Sequence, residues 1–417
     1  MNSTKSNTPQ LHVNTTWTLA GNMTYAACQL GMLSIVAKFG DAVQVGQFAL
    51  ALAVATPIVA FSMLQLRSLQ ITDTHNRTKF GEYFGLRLLA MFAALVGIVI
   101  IAAAGYSGET KYAIISVGVA KIVEAISDIA FGLLQRHERM RRVAVSQIAK
   151  GLLAMIFLAL CMLLGGNVVW CGVALAIAWS LTLLFLDLPA VHESLGGRLS
   201  ELRPIFDLPR LKRLATLGLP LGIVRAVLAL ITSLPRLFLA RAGTLADVGV
   251  FAAMVSLTLP GTLIIGALGQ AVSPRLALAF SQQDRVELRR LLGSMGILAI
   301  SVGLGGVAFV WLWGDFILQL LFSEQIAREA VYLPMIMVAG GLWGLTSVLG
   351  YAATAANRIR WQPVATGVCL VVTLAATWWL VPSYGLSGAA VSSLLSSVSI
   401  LPPFLLLFLM RVAPDAR

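Results

Sequence analysis

Charge is what this sequence has least of, and acidic residues are the scarcer kind. Lys, Arg, Asp and Glu together make up 12% of its 417 residues, 30 of them basic and only 18 acidic. With 58% hydrophobic residues and a mean hydropathy of +0.87, the chain is excluded from the ordinary soluble domains. Cysteine is rare too. Cys28, Cys161, Cys171 and Cys369 all fall in apolar runs with no CxxC pair, which excludes a disulfide framework or a thiolate metal site. His12, His75, His137 and His192 are scattered one by one through polar segments, so no imidazole cluster exists to bind a metal. There is no GxSxG, no phosphate loop and no domain-sized polar stretch. The formal charge of +12 therefore has no soluble surface with which to hold nucleic acid.

What the chain does have is long apolar runs from end to end. They predict an all-α polytopic membrane protein with about twelve transmembrane helices, because helices and closed barrels alone satisfy the backbone in lipid. The expected spans are 17–38, 43–66, 83–105, 112–134, 143–165, 167–188, 214–240, 248–270, 291–313, 329–353, 364–381 and 386–410. The first follows a polar tail (1–16) without a small-x-small exit site, and reads as a membrane helix rather than a cleaved signal peptide. Of the 30 Lys and Arg, 23 fall on one side of these spans or at the termini, among them Arg67 and Arg87 by the first loop and Lys150 by the second. Positive charge is retained in the cytoplasm, so both termini are expected there. The cluster Arg136, Arg139, Arg141 and Arg142 reads first as part of that topology signal, with contact to an anionic head or lipid surface as the alternative. The segment 189–213, rich in Pro and Gly, reads as a cytoplasmic linker between two six-helix bundles, 17–188 and 214–410, with 411–417 as a tail.

An internal repeat supports two pseudo-symmetric bundles. At an offset of 203 positions, Gly40, Val45, Gly46, Phe48 and Ala49 meet Gly243, Val248, Gly249, Phe251 and Ala252, and Pro57 meets Pro260. Six spans separate the copies, so both halves enter the membrane in the same direction.

The order of motifs resembles a known family. The Gly-x5-Gly-x-Phe-Ala turn opens each half. Leu66-Arg-Ser-Leu-Gln-Ile-Thr-Asp73, Phe80-Gly-Glu-Tyr83 and Gln135-Arg-His-Glu-Arg-Met140 follow in the first half, then Ser233-Leu-Pro-Arg236 and Tyr384-Gly-Leu-Ser-Gly-Ala-Ala390 in the second. Together they look like the polysaccharide-export branch of the multidrug/oligosaccharidyl-lipid/polysaccharide exporter superfamily. The chain resembles the O-antigen and exopolysaccharide repeat-unit flippases more than the peptidoglycan-precursor flippases of that superfamily. That resemblance implies a MATE-like fold in a bacterial inner membrane, a polyprenyl-pyrophosphate-linked oligosaccharide as substrate, no cofactor and no enzymatic step. It also implies membrane lipid and other polysaccharide-assembly membrane proteins as partners. A cation-coupled multidrug exporter of the same superfamily is the alternative, and a membrane-embedded polymerase or ligase a more distant one.

The candidate site residues are the charges inside spans. Arg225 and Arg236 lie eleven residues apart in 214–240, about 20° from facing the same way on an unbroken helix. Guanidinium stays charged and grips phosphate oxygens in pairs, so these two, with Lys121, are expected to bind the substrate head group. Neutralising carboxylates on neighbouring helices is the structural alternative. Lys121, Glu124 and Asp128 share one face of 112–134. Glu124 or Asp128 could titrate and couple transport to an ion gradient, or they could simply pair with Lys121 and an arginine. Asn22 and Gln29 either line the cavity or hydrogen-bond between helices.

Overall fold

The computed structural model describes residues 8–73, 78–356 and 362–409, and among these the chain is helical with no strand. In order come α1 (Thr8–Phe39), α2 (Ala42–Ser62), the short α3 (Leu66–Thr72), α4 (Phe80–Gly105), α5 (Gly108–Arg136), α6 (Met140–Leu163) and α7 (Val168–Thr182). A π-helical turn (Leu183–Asp187) carries α7 into α8 (Leu188–Ser194), followed by the single turn α9 (Leu199–Leu202). The remainder is α10 (Leu208–Ala242), α11 (Leu245–Ser256), α12 (Leu259–Ser281), α13 (Arg285–Leu321), α14 (Glu324–Ala327), α15 (Leu333–Ala355) and α16 (Gln362–Leu409).

Nine helical stretches among the described residues are long and apolar enough to cross a membrane. Outside that set stand α1, diluted by polar residues, and α5, which carries Lys121, Glu124 and Asp128. α16 is broken at Gly385 (φ 54°, ψ −125°), a left-handed conformation that glycine adopts at little cost, into limbs matching the two spans expected there. With α1, α5 and both limbs the crossings number about twelve, as the apolar pattern requires. Two boundaries differ from expectation. α13 runs on to Leu321 past a non-helical Trp313, so the longest connection expected on that side is mostly helix. The span expected at 248–270 breaks at Leu257–Thr258 and restarts with Pro260 in a first turn, where its missing N–H costs nothing. Trp170, Trp311, Trp313, Trp378 and Trp379 are all exposed. The order of crossings puts their helix ends on the side opposite the basic loops, as interfacial tryptophans require.

The chain divides into two compact units: residues up to Phe39 with Val54–Ala226, and Gly40–Ala53 with Val227 onward. α2 and α10 are thus each shared between the units.

In the first unit α1 lies along α6, and small residues set their separation. A Cβ at Gly21 would stand 2.8 Å from Ala144 Cα, and one at Gly151 2.8 Å from Cys28 Cβ. Cys28 thus acts as a small apolar filler. The segment 203–210 is held down rather than loose. Ile205 N donates to Gly81 O at 2.8 Å, Arg210 Nη1 bonds Glu82 Oε1 at 2.6 Å, and Leu211 and Leu214 are buried among Leu64, Leu66, Phe80 and Tyr83. Gly81 and Gly85 are needed here because a Cβ on either would overlap the backbone of Arg203 or Ile205. The Phe-Gly-Glu-Tyr motif is therefore a cradle for the chain that leads into α10. The loop cluster is engaged as well. Arg139 and Arg142 both bond Glu193 at the end of α8, at 3.0 and 2.9 Å, and Arg141 stacks over Trp17.

In the second unit the repeated turn becomes a repeated cap. Asp41 Oδ1 accepts from Gln44 N at 2.7 Å ahead of α2. Its equivalent at the same offset, Thr244, accepts from Asp247 N at 3.2 Å, and Asp247 closes a capping box before α11. The two capped helices then cross at Gly46 and Gly249, which are themselves equivalents. A Cβ on Gly46 would overlap Leu245 O and a Cβ on Gly249 would overlap Ala42 O, and Ala42 and Leu245 are equivalents too. The repeat is visible as a pseudo-twofold contact between its own copies.

Candidate functional site

Charge enters the interior of the first unit through α5. Lys121, Glu124 and Asp128 lie along one face of that helix, each with its own partner. The Lys121 ammonium pairs with Glu124 Oε2, and Glu124 Oε1 accepts a 2.5 Å hydrogen bond from the Tyr25 hydroxyl of α1. Trp179 of α7 offers its ring to Lys121 at 5.9 Å. Further along, Asp128 is bracketed by Arg67 of α3 at 3.1 Å and Arg87 of α4 at 3.4 Å. Arg67 also donates to Gln135 Oε1 at 2.8 Å and sits over the Phe131 ring. A third pair joins Lys150 of α6 to Asp187 of the π turn, 3.8 Å apart. These contacts gather Arg67, Arg87, Lys121 and Lys150 against Glu124, Asp128 and Asp187, an excess of one positive charge.

Arg87, Lys150 and Asp187 are almost completely buried, whereas Lys121, Glu124, Asp128 and Arg67 keep about a fifth to a third of their side chains exposed. The partly exposed members, like Tyr25, reach accessible surface, whereas the buried members are enclosed within the unit. Burying a charge without a partner costs several kcal/mol, so the arrangement stands only because each carboxylate meets a cation.

The sequence-predicted residues separate into two groups. Lys121 is engaged by Glu124, and Asp128 meets an arginine, but those of α3 and α4 rather than those of α10. Asn22 accepts a 3.1 Å hydrogen bond from Gln147, an interhelical link between α1 and α6, whereas Gln29 is exposed beside the Tyr25 hydroxyl. Arg225 and Arg236 form no ion pair among the described residues. Arg225 is exposed, in the part of α10 that belongs to the first unit. Arg236 is half-buried, in the part that belongs to the second; its Nη2 donates to Thr232 O at 3.1 Å and its Nε has no partner among the described residues.

Several residues escaped the sequence. Tyr25 is an ordinary tyrosine in an apolar helix until Glu124 is placed beside it. Gln70 is fully buried with its amide against Gly132. Arg87 and Lys150, assigned to loops by the topology count, lie inside α4 and α6. The count on that side falls by those two, which leaves its imbalance intact. Their positions within the expected spans 83–105 and 143–165 were the available signal.

Residues 11–280 match the family described as Polysaccharide biosynthesis protein. Over 384 residues the chain is 22% identical to the Capsular polysaccharide biosynthesis protein CapF of Staphylococcus aureus, covering 92% of this chain and 95% of that protein. Among solved structures it is similar to Lipid II flippase MurJ in its inward closed conformation, with a TM-score of 0.72, 12% identity, and 93% and 85% of the two chains covered. It is also similar to the MATE transporter VcmN of Vibrio cholerae, with a TM-score of 0.65, 14% identity, and 96% and 95% covered. At such identities these likenesses bear on fold alone, and the fold is the MATE-like one that the repeat and the spans require. With its family match spanning well over half its length, this multi-pass membrane protein belongs to the polysaccharide biosynthesis protein family.

Proposed function

We propose that the protein is a flippase, without enzymatic activity of its own. It moves polyprenyl-pyrophosphate-linked oligosaccharide from the cytoplasmic to the outer leaflet of a bacterial inner membrane, its termini in the cytoplasm, alongside other polysaccharide-assembly membrane proteins. The polyprenyl tail can stay in hydrocarbon, but carrying the pyrophosphate head through it unaided costs tens of kcal/mol. A transporter has to offer that head a cationic, hydrated path.

The observation that carries this reading is the state of Arg225 and Arg236. Both sit in a membrane-spanning helix, both lack an ion pair among the described residues, and α10 itself is shared by the two units. Unpaired arginine within a span is costly unless it faces water or an anionic ligand. In this reading the two guanidiniums bind phosphate oxygens and the units alternate access around the helix they share. Lys121 joins them only by exchanging Glu124 for phosphate.

Reconstitution in liposomes with a labelled lipid-linked oligosaccharide tests this. Arg225→Ala and Arg236→Ala should each lower transport at least about tenfold, the loss of one charge-assisted hydrogen bond. Undiminished transport in both variants returns the arginines to structural duty. Transport of a cationic dye, with no movement of the oligosaccharide, assigns the protein to drug export instead.

A further inference from the structure

We infer that Lys150 and Asp187 form a proton-binding site inside the first unit. Asp187 ends the π-helical turn, and Lys150 lies well inside α6. Their side chains are 0% and 2% exposed, and Nζ stands 3.8 Å from Oδ2, beyond hydrogen-bond distance. Asp187 Oδ1 accepts a 2.5 Å hydrogen bond from Ser146, but among the described residues neither Oδ2 nor the ammonium has a hydrogen-bond partner. Buried polar groups are ordinarily satisfied, so two unused bonding sites facing each other call for a reason.

The unit's other interior carboxylates are placed differently, and buried Glu82 is bonded by the Arg210 guanidinium. Asp128 lies between two guanidiniums, which do not give up protons, and Glu124 is bonded by both Lys121 and Tyr25. Asp187 faces a lysine as Glu124 does, but whereas both Glu124 oxygens are hydrogen-bonded, its Oδ2 keeps a free bonding site turned to a cation that can exchange a proton with it. The pair is neutral whether the shared proton rests on nitrogen or oxygen. Uptake of one more proton forms an O–H bond at Oδ2, leaves the ammonium whole and makes the pair singly positive.

The elements packed around the pair set its field, and α1, lying along α6, brings Tyr25 and Cys28 against Gly151 beside Lys150. α5 brings Glu124 and Asp128 within electrostatic reach of Lys150, and Ser127 beside Asp187. α5 also sets the Phe131 ring 4.7 Å from the ammonium. α6 supplies Ser146 together with Lys150 itself, and α7 has no charged residue over Val168–Thr182. α8 carries His192 and Glu193, the latter paired with Arg139 and Arg142. Protonating Asp187 therefore weakens one attraction on Lys150 and leaves Glu124 and Asp128 to draw it. The π turn gives that change a mechanical outlet. Reverting it to α registry rotates the residues beyond by about 100°, enough to turn Asp187 away from Lys150 on α6. Use of the site in driving transport rests on the flippase reading; its existence does not.

Infrared titration of the full chain in lipid nanodiscs, following the carboxylic-acid C=O band, tests the assignment. Asp187→Asn, which keeps an acceptor for Ser146, should remove a band that Glu124→Gln and Asp128→Asn leave in place. Ser146→Ala removes only the hydrogen bond to Oδ1 and should raise the midpoint by about one pH unit, tenfold in proton affinity. A band that survives Asp187→Asn, that disappears in Glu124→Gln or Asp128→Asn, or that ignores Ser146→Ala overturns the site. In liposomes with a labelled lipid-linked oligosaccharide, Asp187→Asn should lose the response to an imposed pH gradient while still equilibrating substrate. An undiminished gradient response in that variant overturns the coupling. If the unaltered chain moves no oligosaccharide, the flippase reading falls and the infrared titration still decides the proton site.

Discussion

The crossing of α2 and α11 makes a sharp prediction about two glycines that the repeat treats as equivalent. A Cβ at Gly46 would stand 2.6 Å from the Leu245 carbonyl carbon and closer still to its oxygen, whereas ordinary contact begins near 3.4 Å. Accommodating Gly46→Ala therefore requires at least about 0.8 Å of extra separation at the crossing. A Cβ at Gly249 meets Gly46 N at 2.9 Å and overlaps Ala42 O less deeply, so it needs a smaller shift. Overpacking costs about 1–3 kcal/mol, while Gly to Ala in a helix returns about 1 kcal/mol of propensity. Gly46→Ala should thus lose about 1–2 kcal/mol net, and Gly249→Ala about 1 kcal/mol or less. One separation relieves both overlaps, so the double variant should lie within about 0.5 kcal/mol of Gly46→Ala alone. Unfolding in detergent micelles, read from tryptophan fluorescence against denaturant, measures all three. A Gly46→Ala chain as stable as the parent, or a double variant whose losses simply add, would refute the close pseudo-twofold contact.

Two further outcomes follow from unit 1. Asp128→Asn strands Arg87, which is fully buried, and should cost about 3–5 kcal/mol in thermal unfolding, whereas Arg67→Ala, removing a guanidinium that is 29% exposed, should cost clearly less. Replacing both partners, Asp128→Leu with Arg87→Met, should recover most of that loss; equal destabilisation by Asp128→Asn and Arg67→Ala would contradict the bracketed geometry. For the segment held on α4, Gly81→Val should speed proteolytic nicking within 196–207. Glu82→Gln should do so only weakly, because Arg210 is 58% exposed and solvent screens its pair. The reverse order would mean that the ion pair, not the glycine cradle, holds the segment.

The sequence by itself determined the spans, their number and the repeat, because these are local or periodic properties. A run of about 20 apolar residues in lipid has to be a helix. The break in α16 was legible at Tyr384-Gly-Leu-Ser-Gly, and the capped turns at Asp41 and Thr244 were legible in the repeated glycines. Partners were another matter. Glu124 could equally have faced Arg225, and only packing of α1, α3 and α4 around α5 gave it Tyr25 and gave Asp128 to Arg67 and Arg87. Lys150 and Asp187 lie 37 positions apart, and nothing local in either helix announces the other. What brought them together is a π turn, a one-residue change of register set by tertiary packing and invisible to hydrophobic periodicity. Which charges remain unpaired, and so free to meet a ligand, is a property of the whole set of neighbours. It is decided by the fold, because in a low-dielectric interior every charge takes the nearest partner the packing permits.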